Sequence, residues 1–244
     1  MRNLRIAFGL MTILPVRLPN DWSAGDSGRA ALWYPLVGLV IGGLTWLAWK
    51  GAMLLFPPLV AGVISLIVWV TLTGGLHLDG LADCCDGLLA SVSVERRLEI
   101  MKDPHVGAFG VIGLVLVLFL KAAALTSFAS LTPLAGFGIL LAASLSRWCI
   151  LLAGLFPLAR SSGMGADFTS GFQQPFILWG AVIPLAIAIL LGTRGLFSAL
   201  AGVVVAVLLL WFAKSRIGGV TGDVFGMLVE VVEAVVLLTF LIEA

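Results

Sequence analysis

Apolar runs close to the length of a bilayer crossing recur along almost the whole chain, with only short polar breaks between them. Runs of about 20 apolar residues permit few folds, because in lipid every backbone amide and carbonyl must be paired within a helix or a closed barrel. The sequence lacks the alternating ten-residue strands of a membrane barrel, so helices are the expected solution. Composition agrees: 61% of the 244 residues are hydrophobic and 11% charged, against about 25% charged in a soluble domain. The expected fold class is all-α: a polytopic integral membrane helical bundle of about seven transmembrane helices, read as a single domain over 1–244. The spans are expected at 31–49, 53–73, 108–131, 134–158, 176–193, 195–213 and 223–243. Breaks are expected at Lys50-Gly51, at Gly192 to Gly195, and from Lys214 to Gly219. An N-terminal interfacial helix and a cytoplasmic acidic helix complete the bundle. "MRNLRIAFGLMTILPVRLP" sets Arg2 and Arg5 before a short apolar run but lacks a small-x-small cleavage pattern, and reads as a retained helix at the membrane surface.

Lysine and arginine collect in cytoplasmic loops. With the N-terminus inside, Arg2, Arg5, Arg17, Arg29, Arg96, Arg97, Lys102, Arg160, Lys214 and Arg216 share one side, and only Lys50 and Arg194 face the other. That split gathers the polar loops 74–107, 160–175 and 214–223 on the cytoplasmic face. A net charge of +1 with no basic block gives no sign of nucleic acid. Cys84, Cys85 and Cys149 match no zinc spacing and read as small buried residues. No internal repeat supports an inverted-repeat transporter.

The stretch "GGLHLDGLADCCDGLLA" concentrates acid in an oily chain. On a helix Asp79, Asp83 and Asp86 stand at i, i+4 and i+7, sharing one face at about 100° per residue. Like charges so placed repel, and a cation removes the cost. Carboxylate oxygens suit Mg²⁺, with Mn²⁺ as the alternative, and Mg²⁺ commonly joins one or two carboxylates to substrate phosphates. The plainer reading is a solvated acidic helix start that complements the dipole, against which stand the interspersed leucines. Gly80 and Gly87 allow another helix or a bulky ligand to approach. His77 is open to two readings, a ligand or a hydrogen-bonded structural residue.

Downstream, Glu95, Arg96 and Glu99 read as an exposed helix face, whereas "KDPHVG" is a proline-broken turn. There Lys102 is a candidate phosphate contact, Asp103 a candidate metal or substrate ligand, and His105 a candidate substrate contact. "RIGGVTGDVFG" sets Gly218, Gly219 and Thr221 where exposed amides at a helix start can bind an anion. Asp223 there is either a ligand or simply an N-cap. This loop is expected to lie beside the 74–90 helix. Arg147, inside a predicted span, needs an acidic or phosphate partner and is by default functional. Lys121, Glu230 and Glu233 raise the same question, and the two glutamates are not read as ligands.

Together "GGLHLDGLADCCDGL", "RRLEIMKDPHVGAFG" and "GGVTGDVFG", with the opening "LRIAFGLMTILPVRLP" and "ALWYPLVGLVIGGL", resemble the bacterial cobalamin synthase family over most of the chain. The resemblance implies a Mg²⁺-dependent transferase in the bacterial inner membrane, multi-pass, with its site facing the cytoplasm. It would join adenosylcobinamide-GDP to α-ribazole or α-ribazole 5′-phosphate and release GMP; an oligomer is compatible with this. The motif positions carried over are Asp79, Asp83, Asp86, Lys102, Asp103 and Asp223. The expected metal ligands are Asp79, Asp83, Asp86 and Asp223, and the expected catalytic set is Asp86, Asp223, Lys102 and Arg147. His77, Lys102, Asp103, His105, Gly218, Gly219 and Thr221 are the expected substrate contacts. Cys84-Cys85 departs from the small residues expected at those positions. Two other readings compete. A CDP-alcohol phosphotransferase fits poorly, because Gly80-Leu81-Ala82 leads to Asp83 where that pattern needs arginine. An ion-coupled transporter would rest on Arg147, Lys121 and Glu230.

Overall fold

In the computed structural model, which describes residues 1–19, 21–130 and 136–242, the chain forms thirteen α-helices joined by short turns, with no strand among the described residues. In order they are α1 Arg2–Met11, α2 Asp26–Ala30, α3 Tyr34–Met53, α4 Pro58–Thr73, α5 Leu76–Leu89, α6 Val94–Ile100 and α7 Ala108–Ser127. The second half contains α8 Phe137–Ala153, α9 Met164–Gly171, α10 Pro175–Gly180, α11 Val182–Leu190, α12 Gly192–Ile217 and α13 Gly222–Phe240. Parts of three expected spans, at 131, 134–135 and 243, lie outside the described residues.

Four helical segments are long and apolar enough to cross a membrane: Asp26–Met53, Ala108–Ser127, Phe137–Leu155 and Gly192–Ile217. Two bent pairs, α4 with α5 and α9 with α10–α11, raise the number to six. The seventh expected span, α13, has the length of a crossing but carries Asp223, Glu230 and Glu233, and most of it is buried among its neighbours.

The breaks fall where proline and glycine force them. Helix α3 runs through Lys50-Gly51 to Met53, and the real break precedes Pro57-Pro58, which can start a helix but not continue one. The expected span 176–193 is divided between α10 and α11, because Pro184 has no amide for the Gly180 carbonyl four residues back. Gly192, with φ of 65°, starts α12 ahead of Arg194, so that arginine lies in its first turn. Lys214 and Arg216 likewise fall within α12, which Gly218 ends at φ of 80°.

Small residues set the helix contacts, as expected where lipid supplies no hydrophobic drive between helices. A Cβ on Gly42 would stand 2.8 Å from Leu140 Cα, and one on Gly62 would stand 2.8 Å from the Thr126 amide nitrogen, so α3 meets α8 and α4 meets α7 backbone to backbone. Phe109, Ile112, Leu116 and Phe119 of α7, with Leu200 and Leu208 of α12, remain exposed, as lipid-facing side chains should. Helix α1 is amphipathic and buries Ile6, Ala7 and Met11. Arg2 ties it to α2 through Asp26 at 2.7 Å, and Asp26 is also held by Arg29 at 2.6 Å.

Candidate active site

Consecutive left-handed glycines, Gly74 (φ 62°) and Gly75 (φ 72°), end α4 and start α5. Only residues tolerant of positive φ make such a turn without strain, and it bends the chain by 90°, so α5 leaves the direction of the span. Two arginines hold its far end. Arg97 donates to the Ala90 carbonyl at 2.9 Å and to that of Arg216 at 3.1 Å, and Arg216 donates to the Leu88 carbonyl at 2.8 Å. Cations at the carbonyl end of a helix also complement its dipole.

Helix α5 crosses the start of α13 at a pair of glycines. A Cβ on Gly80 would lie 2.8 Å from the Asp223 carbonyl and 3.1 Å from its Cα; one on Gly226 would lie 2.7 Å from the His77 carbonyl. No larger residue fits either position without moving backbone. The contact sets Asp79 and Asp83 of α5 beside Asp223 of α13. Burial, then the charges of Asp223, Asp79 and Asp86, push the Asp83 carboxyl up to about 7, against an ordinary 3.8, and Arg160 only partly offsets this. Thr221, not Asp223, is the N-cap of α13: its hydroxyl accepts from the Val224 amide and donates to Asp223 Oδ2 at 3.2 Å. The N-cap reading of Asp223 is thereby overturned.

The cation facing these acids is Arg160. A parallel bridge between Leu158 and Val220 lays the chain after α8 against the chain before α13, with Ala159 and Val220 donating to the Val220 and Pro157 carbonyls at 3.0 and 2.9 Å. Arg160 then reaches Asp223 at 3.5 Å and the Leu98 carbonyl at 2.9 Å. Between α1, α5, α9 and the start of α13 lies a cavity of about 230 Å³. Asp79, Asp223, Thr221 and Arg160 line its polar side, and Tyr34, Phe168, Phe225 and Ile150 its apolar side, with His77 among them. The three polar loops therefore converge on one site.

The family model for cobalamin-5-phosphate synthase matches residues 3–241. The chain belongs to the cobalamin-5-phosphate synthase family. It is 42% identical over 242 residues to a protein of Pseudomonas fluorescens, covering 96% of each chain, and 38% identical over 247 residues to one of Desulfitobacterium hafniense, covering 98% of this chain and 96% of the relative. A third, from Brevibacillus brevis, is 38% identical over 230 residues, covering 91% of this chain and 92% of the relative. All three relatives are named adenosylcobinamide-GDP ribazoletransferase. No solved structure matches the chain.

In this synthase-family fold the expected site residues separate into groups. His77, Asp79, Thr221 and Asp223 line the cavity, with Asp83 next to them along α5. Asp86 turns the other way: its oxygens accept from the Gly107 and Gly110 amides at 2.7 and 2.9 Å and cap the start of α7. Both glycines are required there, since a Cβ on either would run into that carboxylate. Asp103 and His105 pair with each other at 2.6 Å in an exposed turn, which lowers the Asp103 pKa through the His105 backbone and ring bonds, and Lys102 beside them is exposed. None of these three lines the cavity.

Gly218 and Gly219, expected to bind an anion, do structural work instead. The Gly218 amide closes α12 onto the Lys214 carbonyl at 2.9 Å, and Gly219 is small because the backbone of 157–159 passes against it. Arg147, expected to be catalytic, is completely buried and does not line the cavity. It pairs with Glu233, which also holds Lys121, and Lys121 reaches Glu230 at 2.5 Å. Two cations and two anions close on themselves, which removes the support for an ion pathway.

Among the described residues no three histidine, cysteine, aspartate or glutamate side chains converge as a metal cage. Arg160 is a cavity-lining residue absent from the expected site set; the hint to it in the sequence is its place in the polar loop 160–175.

Proposed function

We propose that this protein is a membrane transferase that joins adenosylcobinamide-GDP to α-ribazole, or to its 5′-phosphate, and releases GMP. The observation that carries this reading is the meeting of Asp79 and Asp223 with Arg160 at one cavity, with Asp83 beside them along α5, in a chain of this family. The excess of negative charge there fits a divalent cation. Asp79 and Asp83 would hold Mg²⁺ or Mn²⁺, with water and substrate phosphates taking its remaining positions. When bound, the ion supplies charge neutralisation at the diphosphate.

The chain's own groups divide the remaining work. Arg160, fixed by the Leu98 carbonyl, is placed to hold a phosphate of the donor. A ribose hydroxyl of the acceptor attacks the phosphorus attached to the cobinamide arm, its bond to the GMP phosphate breaks, and GMP departs. Of the two carboxylates expected as base, Asp86 is occupied with α7, which leaves Asp223 to accept the hydroxyl proton. The basic residues of the converging loops favour a site on the cytoplasmic face of the bacterial inner membrane.

The test uses purified protein in lipid nanodiscs with adenosylcobinamide-GDP, α-ribazole and Mg²⁺. GMP should appear in step with the ribazole adduct; no GMP above a protein-free blank would contradict the reading.

A further inference from the structure

His77 is 4% exposed, lines the cavity, and makes no hydrogen bond with any described residue; its Nδ1 is buried without a partner. A buried polar group left unpaired costs free energy, so this ring stands ready for something that enters the cavity. Around it Tyr34, Phe168 and Phe225 form an aromatic wall, with Phe168 edge-on to Phe225 at 5.0 Å and stacked with Tyr34 at 6.4 Å. Three polar groups beside this wall are already used. The Tyr34 hydroxyl donates to the Ser27 carbonyl at 2.8 Å, the Ser27 hydroxyl donates to Asp167, and Thr221 donates to Asp223.

From this we infer that the cavity is the acceptor pocket: it takes the fused aromatic base of the ribazole, with His77 hydrogen-bonded to the base and the ribose directed toward Asp223. The inference rests on the reaction proposed above and adds which substrate occupies which wall. The guanine of the donor is the alternative occupant, and the wall discriminates between them. Guanine carries several donors and acceptors on its edges, and the apolar wall around the imidazole would leave those turned toward it unpaired. A dimethylbenzimidazole has apolar edges and one free ring nitrogen, which matches apolar walls and a single polar group. The volume of about 230 Å³ suits one nucleoside and excludes a corrin ring.

The test is two-substrate kinetics of GMP release, with calorimetric titration of α-ribazole alone into the protein in nanodiscs. His77→Phe keeps the ring and removes the nitrogens. Ala166→Leu, on α9 where it lines the same cavity, narrows the pocket and leaves His77 in place. Both should raise the KM for α-ribazole about tenfold or more, the scale of one lost hydrogen bond or a misfitted side chain. The KM for adenosylcobinamide-GDP should stay within about twofold and kcat at saturation should be largely kept. Calorimetry should show the same weakening without any donor present. Wild-type turnover combined with an unchanged acceptor KM in both variants, or a rise in the donor KM instead, would overturn the pocket assignment alone. If the wild type binds α-ribazole but releases no GMP, the proposed reaction fails and this inference falls with it.

Discussion

Two clusters of charge lie on the same helix, α13, and they behave in opposite ways. At its first turn Asp223 joins Asp79 and Asp83 around a cavity, with Arg160 as the facing cation, and all of these side chains are at least partly accessible. Two turns further on Glu230 and Glu233 meet Lys121 and Arg147 in a sealed network that sums to zero. The first cluster is under-compensated and open; the second is compensated and closed. Composition is therefore a poor guide to role in an apolar chain, and what separates chemistry from structure is whether the charges already balance. In the interior a cation and an anion must find each other, because an unpaired charge is expensive there. At the cavity an unbalanced site can persist because a ligand completes it.

The comparison predicts different failures. The largest effect belongs to the closed network. Glu233→Met strands Arg147 and should cost about 3–5 kcal/mol, the scale of breaking a buried pair from one side, read as a large drop in thermal stability or a failure to accumulate in the membrane. Arg147→Met with Glu233→Met leaves Lys121 balanced by Glu230, and should recover most of the stability together with GMP release. A double variant that is stable but inactive would place Arg147 in the chemistry after all.

At the open cluster Asp223→Asn should fold normally and lose GMP release by at least about a hundredfold, comparable with removing one group that stabilises developing charge. Instability with intact turnover per folded molecule would break the contrast from the other side. A smaller effect is expected from Gly80→Ala, where one methyl forces α5 from α13 by overpacking worth about 1–3 kcal/mol. Both stability and turnover should fall, since the same contact holds the acids together. Loss of stability alone would show that their spacing is not critical.

The smallest effect is in pH dependence. Asp83 is raised to about 7 when folded, so between the ordinary carboxylate value and about 7 the folded protein binds a proton that the unfolded chain releases. Stability of the metal-free protein should therefore fall as pH rises through that window and level off above it. The side chain is only partly buried, which keeps the change small. Thermal unfolding at pH 5 and pH 8 checks it, and Asp83→Asn should shrink the difference seen in the wild type; the raised Asp223 carboxyl accounts for part of what is left.

The sequence reading reached what was local and lost what was distant. The acidic helix, the glycine turn before it and the glycine-rich start of α13 were legible because each is contiguous. Their adjacency was also foreseeable, since both deliver aspartate to the same membrane face and Gly80 allows close approach. The commitment of Asp86 was not legible, because its partners Gly107 and Gly110 follow a separate surface helix. Arg160 was hidden for a similar reason: only the Leu158–Val220 bridge brings it to an acid 63 residues away. The partner that Arg147 requires is acidic, as one of the two expected kinds, but it lies 86 residues on and could not be picked out from the chain. Up to six spans stand where about seven are expected, because three acids give α13 a polar character.

Asp83→Asn, measured for GMP release across a Mg²⁺ titration with thermal stability in parallel, is the most direct test of the claim that the open cluster exists for chemistry. The substitution removes a ligand charge and nearly preserves shape. The variant should insert, purify and unfold like the wild type, or be slightly more stable because like-charge repulsion is relieved. It should release little GMP at ordinary Mg²⁺ and be partly rescued at high Mg²⁺ or Mn²⁺. An Asp83→Asn protein as active as the wild type, or one that fails to fold, would contradict it.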